Sequence, residues 1–161
     1  MSTRELQGTE TLSLAKAADY LIEECRMVLP GVQALFGFQL VAVFNQRFDD
    51  ALTHAEKLVH LGAIALVGVA IALIMTPAAY HRLTAPDRVT GHFVRISTRL
   101  LMLGMPFLML GLVLDTYLVG RLIDGHVMAG VVAALLMAVF STLWFGLPLL
   151  ARARRSGEAP R

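Results

Sequence analysis

Residues 58–75 read LVHLGAIALVGVAIALIM, an apolar run whose single ionisable side chain is His60. A helix rises about 1.5 Å per residue, so crossing about 30 Å of hydrocarbon takes about 20 residues. This run of 18 residues therefore reads as a membrane span. Three more follow the same pattern, over 27–44, 100–119 and 127–150, holding 18, 20 and 24 residues. With Arg99 drawn in at its edge, the third span covers about 97–119. The reading is an all-α, membrane-embedded, up-down-up-down four-helix bundle, because short connections favour sequential antiparallel neighbours.

The composition agrees. The chain has 161 residues, 57% of them hydrophobic and 16% charged, with a mean hydropathy of +0.66. Soluble domains are nearer half apolar and do not gather apolar residues into such blocks. The remainder holds no soluble domain. The net charge of +2 does not indicate a nucleic-acid partner, because the basic residues sit at the span boundaries, where they set topology and meet anionic lipid headgroups. With the N-terminus inside, the inner segments hold Arg4, Lys16, Arg26, Arg82, Arg88, Arg95, Arg99, Arg152, Arg154, Arg155 and Arg161. The outer loops hold only Arg47, Lys57 and Arg121. Eleven against three predicts both termini in the cytoplasm.

Residues 1–10 are expected to be disordered. Leu14, Ala18, Leu21, Ile22, Cys25 and Leu29 recur at helical steps, predicting an amphipathic interfacial helix over 11–29. The four-span domain then covers 30–151, and 152–161 forms a basic, disordered tail. The first 26 residues are too polar for a cleavable signal, so the first span is expected to act as an uncleaved insertion signal. Pro30, Pro77, Pro106 and Pro148 are expected helix kinks, since proline removes a backbone donor and crowds the preceding turn. Residues 78–97 read as the longest loop and 120–125 as a tight turn. Gly130, Ala134 and Ala138 form one small-residue stripe, and Gly68 with Ala72 a shorter one, through which helices approach closely. The one cysteine, Cys25, excludes an intramolecular disulfide and reads as a small residue at a helix interface.

Polar groups within the spans are few: Gln33, Gln39, His60, Thr76, Asp115, Tyr117, Ser141 and Thr142. None of the charged residues lies at the expected bilayer centre, which argues against a deep proton relay. Asp115 reads as the outer end of the third span, and Gln33 as an interhelical hydrogen-bonding group. His60 and His126, at the outer ends of two spans running the same way, form a remote haem-ligand pair. Phosphate-binding loops, zinc motifs and nucleophile motifs are absent, so no cofactor, no metal and no enzymatic activity are expected.

The segment Glu24-Cys25-Arg26-Met27-Val28-Leu29-Pro30-Gly31-Val32-Gln33-Ala34-Leu35-Phe36, followed by Phe44 and Arg47-Phe48 and later by Pro77-Ala78-Ala79-Tyr80-His81-Arg82, resembles a family of small bacterial four-span membrane proteins of unknown function. Some members of that family carry the label sodium:proton antiporter. The resemblance implies a bacterial inner-membrane location, and its motif residues fall on the cytoplasmic rim: Glu24, Arg26, Gln33, His81 and Arg82, with Glu24–Arg82 or Glu23–His81 as pairs. Two functions follow as expectations. The first is a non-enzymatic scaffold or accessory subunit of a homo-oligomer or larger membrane complex. The second is a small ion or proton-coupled transporter with its polar site at the cytoplasmic mouth.

Overall fold

The structure is a computed structural model that describes residues 13–84 and 88–157. Among these every regular element is helical: α1 (Leu14–Ala42), α2 (Gln46–Ala51), α3 (His54–Thr84), α4 (Gly91–Phe140), a π-helical turn (Ser141–Gly146) and α5 (Leu147–Gly157). Three helical stretches are long and apolar enough to cross a membrane: Leu14–Ala42, His54–Thr84 and the continuous Gly91–Arg154.

Capping residues mark the starts. Ser13 accepts from the Lys16 amide at 3.3 Å, and Thr90 accepts from the Phe93 amide at 3.2 Å. Thr53 and Glu56 form a reciprocal capping box: the Glu56 carboxylate accepts from the Thr53 amide at 2.8 Å, and Thr53 Oγ1 accepts from the Glu56 amide at 3.4 Å. Each satisfies an amide that the first turn leaves unpaired.

Within α4 the helix breaks at Asp124 (φ −143°, ψ 22°) and Gly125 (φ 80°, ψ −176°). Positive φ is open to glycine at little steric cost, and the chain uses it to reverse. The later limb runs back along the earlier one. A Cβ on Gly120 would meet Ala129 Cα at 3.2 Å. Tyr117 and His126 are hydrogen-bonded at 3.0 Å, and Ser141 donates to Met109 Sδ at 3.9 Å.

The core follows seven-residue steps. Ala18, Cys25, Val32 and Gln39 are the buried positions of α1. His60, Ala63, Val67, Ala70, Ile74 and Pro77 line α3 at alternating three- and four-residue steps. Ser97, Gly104, Gly111 and Leu118 line α4. A strict heptad keeps one seam facing a partner helix in a left-handed supercoil. The α3–α4 seam is tightest at Gly111, where an added Cβ would lie 2.7 Å from Val67 Cγ2 and 3.2 Å from the Ala63 carbonyl oxygen. Outside the seams large apolar side chains face outward, among them Phe38, Phe44, Leu61 and Leu135. That surface suits hydrocarbon rather than water.

Several expectations are corrected. The interfacial helix over 11–29 and the first span are one element, because helical hydrogen bonding continues through Pro30, whose exposed position lets its freed carbonyl face outward. Helix also continues through Pro77, Pro106 and Pro148, and the only non-helical pair inside α4 is Asp124–Gly125. The expected loop over 78–97 shrinks, since α3 runs to Thr84 and α4 starts at Gly91. The expected turn over 120–125 is helical up to its break. The tail is helical to Gly157, while 1–10 and 158–161 lie outside the described residues. The small-residue stripe also moves. Ala134 and Ala138 are exposed, and a Cβ on Gly130 would meet nothing within 4 Å. The inward side chains of this limb are Ala129 and Ala133, one position earlier. Gly68 does pack, with the Phe36 ring 3.8 Å from where its Cβ would stand, whereas Ala72 is exposed.

Candidate functional site

The heptad lines of α1 and α3 each carry one polar residue at the same end of the bundle, Gln39 and His60, and α4 adds Asp115, seven residues after buried Leu108. The three meet. The Gln39 side-chain amide donates to Asp115 Oδ2. His60 Nδ1 lies 3.1 Å from Asp115 Oδ1, and His60 Nε2 lies 3.0 Å from the Gln39 main-chain carbonyl. The side chains of His60 and Asp115 are 8% and 16% exposed, so water contributes little to solvating either. Phe48 of α2 sets its ring edge-on to His60, with centroids 5.1 Å apart, and covers the group.

Donor and acceptor roles constrain the protons. A carbonyl oxygen only accepts, so Nε2 carries a hydrogen. Nδ1 and Oδ1 then share one further proton, held as imidazolium beside carboxylate or as neutral imidazole beside carboxylic acid. Either form keeps the hydrogen bond, so the pair can pass between charged and neutral states without breaking its geometry. Gln39 Oε1 is buried without a hydrogen-bond partner, at a cost of about 1–3 kcal/mol. Beside the group lies a cavity of about 230 Å³ lined by Gln39, His60 and Asp115 with Leu35, Leu52 and Leu122.

A second polar constellation secures the same end. Arg121 Nε pairs with Glu56 Oε1 at 2.6 Å, and its Nη1 donates to the Ala51 carbonyl at 2.6 Å. One guanidinium thus ties α4 to the first turn of α3 and to the last residue of α2.

The expected rim residues divide. Arg26, His81 and Arg82 do line one cleft, at the opposite end of the bundle from Asp115. Glu24 is exposed beside a different cleft, and Gln33 is exposed. Neither the Glu24–Arg82 nor the Glu23–His81 pair forms among the described residues. The remote haem pair also fails. Both ring nitrogens of His60 are engaged within the chain, leaving no free lone pair for iron, and His126 Nδ1 is taken by Tyr117. Among the described residues no group of three or more histidine, cysteine, aspartate or glutamate side chains is arranged to hold a metal ion.

Sequence reasoning marked Gln39, His60 and Asp115 singly and did not join them. The signal that joins them is the heptad: Gln39 continues Ala18-Cys25-Val32, His60 opens the α3 seam, and Asp115 follows Leu108.

Residues 7–148 match the family described as a family of unknown function (DUF6328), and the chain belongs to it. Comparison with curated proteins and with solved structures gave no match.

Proposed function

We propose that this member of the family is an integral membrane protein of the bacterial inner membrane whose Gln39–His60–Asp115 group takes up and releases a proton, as the coupling site of a small proton-linked cation carrier. In this reading the chain crosses the bilayer four times with both termini cytoplasmic, and the polar group lies about one turn inside the outer surface rather than at the cytoplasmic mouth. No catalytic chemistry is proposed. The observation that carries the reading is the single shared proton between His60 and Asp115, buried where three helices meet and beside a cavity. Ionisable groups this deep in a span are costly and mark ion and proton pathways. A carboxylate that can hold either a proton or a cation links the two by competition.

The test uses everted vesicles with a preformed proton gradient. Adding sodium, potassium or an organic ammonium ion should collapse the gradient in vesicles containing the wild-type protein and leave it intact with Asp115→Asn. Equal collapse in the two, or none with any cation, would overturn the carrier reading.

A second reading, an accessory subunit or homo-oligomer, is favoured by the outward Gly130-Ala134-Ala138 face, since small residues allow close helix approach in lipid. Gly130→Leu should then shift the particle to a smaller mass in mild detergent, and an unchanged mass would remove this reading.

A further inference from the structure

At the end of the bundle away from Asp115, α1 and α3 enclose a cleft of about 310 Å³. Its polar lining is Arg26 from α1 with His81 and Arg82 from α3, and its apolar walls include Ile22, Leu29 and Met75. Among the described residues neither Arg26 nor Arg82 forms an ion pair or a hydrogen bond. The His81 ring is held against Phe93 at a centroid distance of 5.2 Å, which steadies one side of the cleft. The start of α4, packed against this end, adds His92, Arg95 and Arg99 and no acid. Two guanidinium groups and an imidazole thus converge on one apolar groove with no carboxylate of the groove to neutralise them.

We infer that this cleft binds one anionic phospholipid, its phosphodiester held by Arg26 and Arg82 and its glycerol and upper acyl segment lying along Ile22, Leu29 and Met75. Guanidinium forks match phosphate oxygens in geometry and charge. The groove joins these donors to an apolar wall at the depth where a lipid's headgroup meets its chains. Basic pockets between spans on the cytoplasmic side take anionic headgroups in the same way. Free phosphate satisfies the donors but not the wall. The proposal requires membrane embedding and is independent of the proton site at the other end.

Delipidated protein in mild detergent, titrated with phosphatidylglycerol, phosphatidylcholine or inorganic phosphate and read by native mass spectrometry, tests this. Phosphatidylglycerol should bind as a single retained adduct and phosphatidylcholine should not. Arg26→Gln and Arg82→Gln should each weaken the adduct about fivefold, and together about twenty-five-fold. Arg95→Gln, on the same rim but outside the cleft lining, should leave it unchanged. Ala78→Trp keeps every charge and narrows the groove, and should weaken phosphatidylglycerol while leaving any phosphate adduct intact. Equal loss in Arg95→Gln, equal retention of the two lipids, or displacement by millimolar phosphate would each overturn the inference. Transport assays on Asp115→Asn bear only on the other site, so failure of one proposal is separable from failure of the other.

Discussion

At the scale of single residues the His60–Asp115 pair makes an asymmetric prediction. Breaking a buried pair strands the surviving partner, whereas replacing both by apolar groups removes the desolvation penalty together with the attraction. Asp115 keeps some exposure, so His60→Leu should cost about 3 kcal/mol, the low end for a buried pair. His60→Leu with Asp115→Leu should recover more than half of that, measured by unfolding in mixed micelles. Additive losses would mean that the two side chains do not act as a pair. Ser97 offers the opposite sign. It is fully buried on the α4 seam and its hydroxyl has no partner, so Ser97→Ala should raise stability by about 1 kcal/mol. A loss of stability there would mean that the hydroxyl is satisfied within the membrane. Each of these polar residues stands out against an apolar run in the sequence. Their meeting does not, because contact between residues 39, 60 and 115 depends on how far three helices slide past one another, and no local pattern encodes that register.

At the scale of the helix seam, two glycines of α4 separate close packing from helix propensity. Gly104 and Gly111 occupy equivalent heptad positions, yet an added Cβ at 104 meets its nearest neighbour at 3.5 Å, and at 111 meets Val67 Cγ2 at 2.7 Å with the Ala63 carbonyl oxygen behind it at 3.2 Å. Gly104→Ala should be neutral or stabilising, since alanine favours helix by about 1 kcal/mol. Gly111→Ala should cost about 1–3 kcal/mol, because Val67 has little room to yield. Thermal unfolding in detergent should rank the two in that order, and the reverse order would place the seam elsewhere. Helix type and approximate extent were readable from the apolar runs, and so was the small-residue character of the contacts. A four-residue stripe on the last limb drew attention because it looks like a close-packing motif. The seam that forms is spaced by seven and lies on α3 and the first half of α4. The prolines misled for a related reason: at Pro30 an outward position leaves the lost hydrogen bond outside the packed faces, so the helix continues.

For the whole molecule the question is how a helical stretch of 64 residues, Gly91–Arg154, lies in a bilayer. Straight, it would measure about 96 Å at 1.5 Å per residue, about three times the hydrocarbon thickness, so it must reverse. Asp124–Gly125 is the place where it does, with glycine at φ 80° and the two limbs in contact from Gly120–Ala129 to Met109–Ser141. The basic residues past this reversal, Arg152 and Arg154, return to the level of Arg95 and Arg99, as the charge bias of the loops requires. Arg121 pins the other end by holding Glu56 and the Ala51 carbonyl, which fixes the height of α4 relative to α3 and so sets Asp115 opposite His60. Single cysteines placed at 124 and 154 in a Cys25→Ala background test the arrangement. A membrane-impermeant maleimide added to intact spheroplasts should label position 124 at once and position 154 only after lysis. Labelling of both from outside, or of neither until lysis, would put the two ends of the last limb on one side of the membrane. That limb would then not cross, and Asp115 would no longer lie near the outer surface.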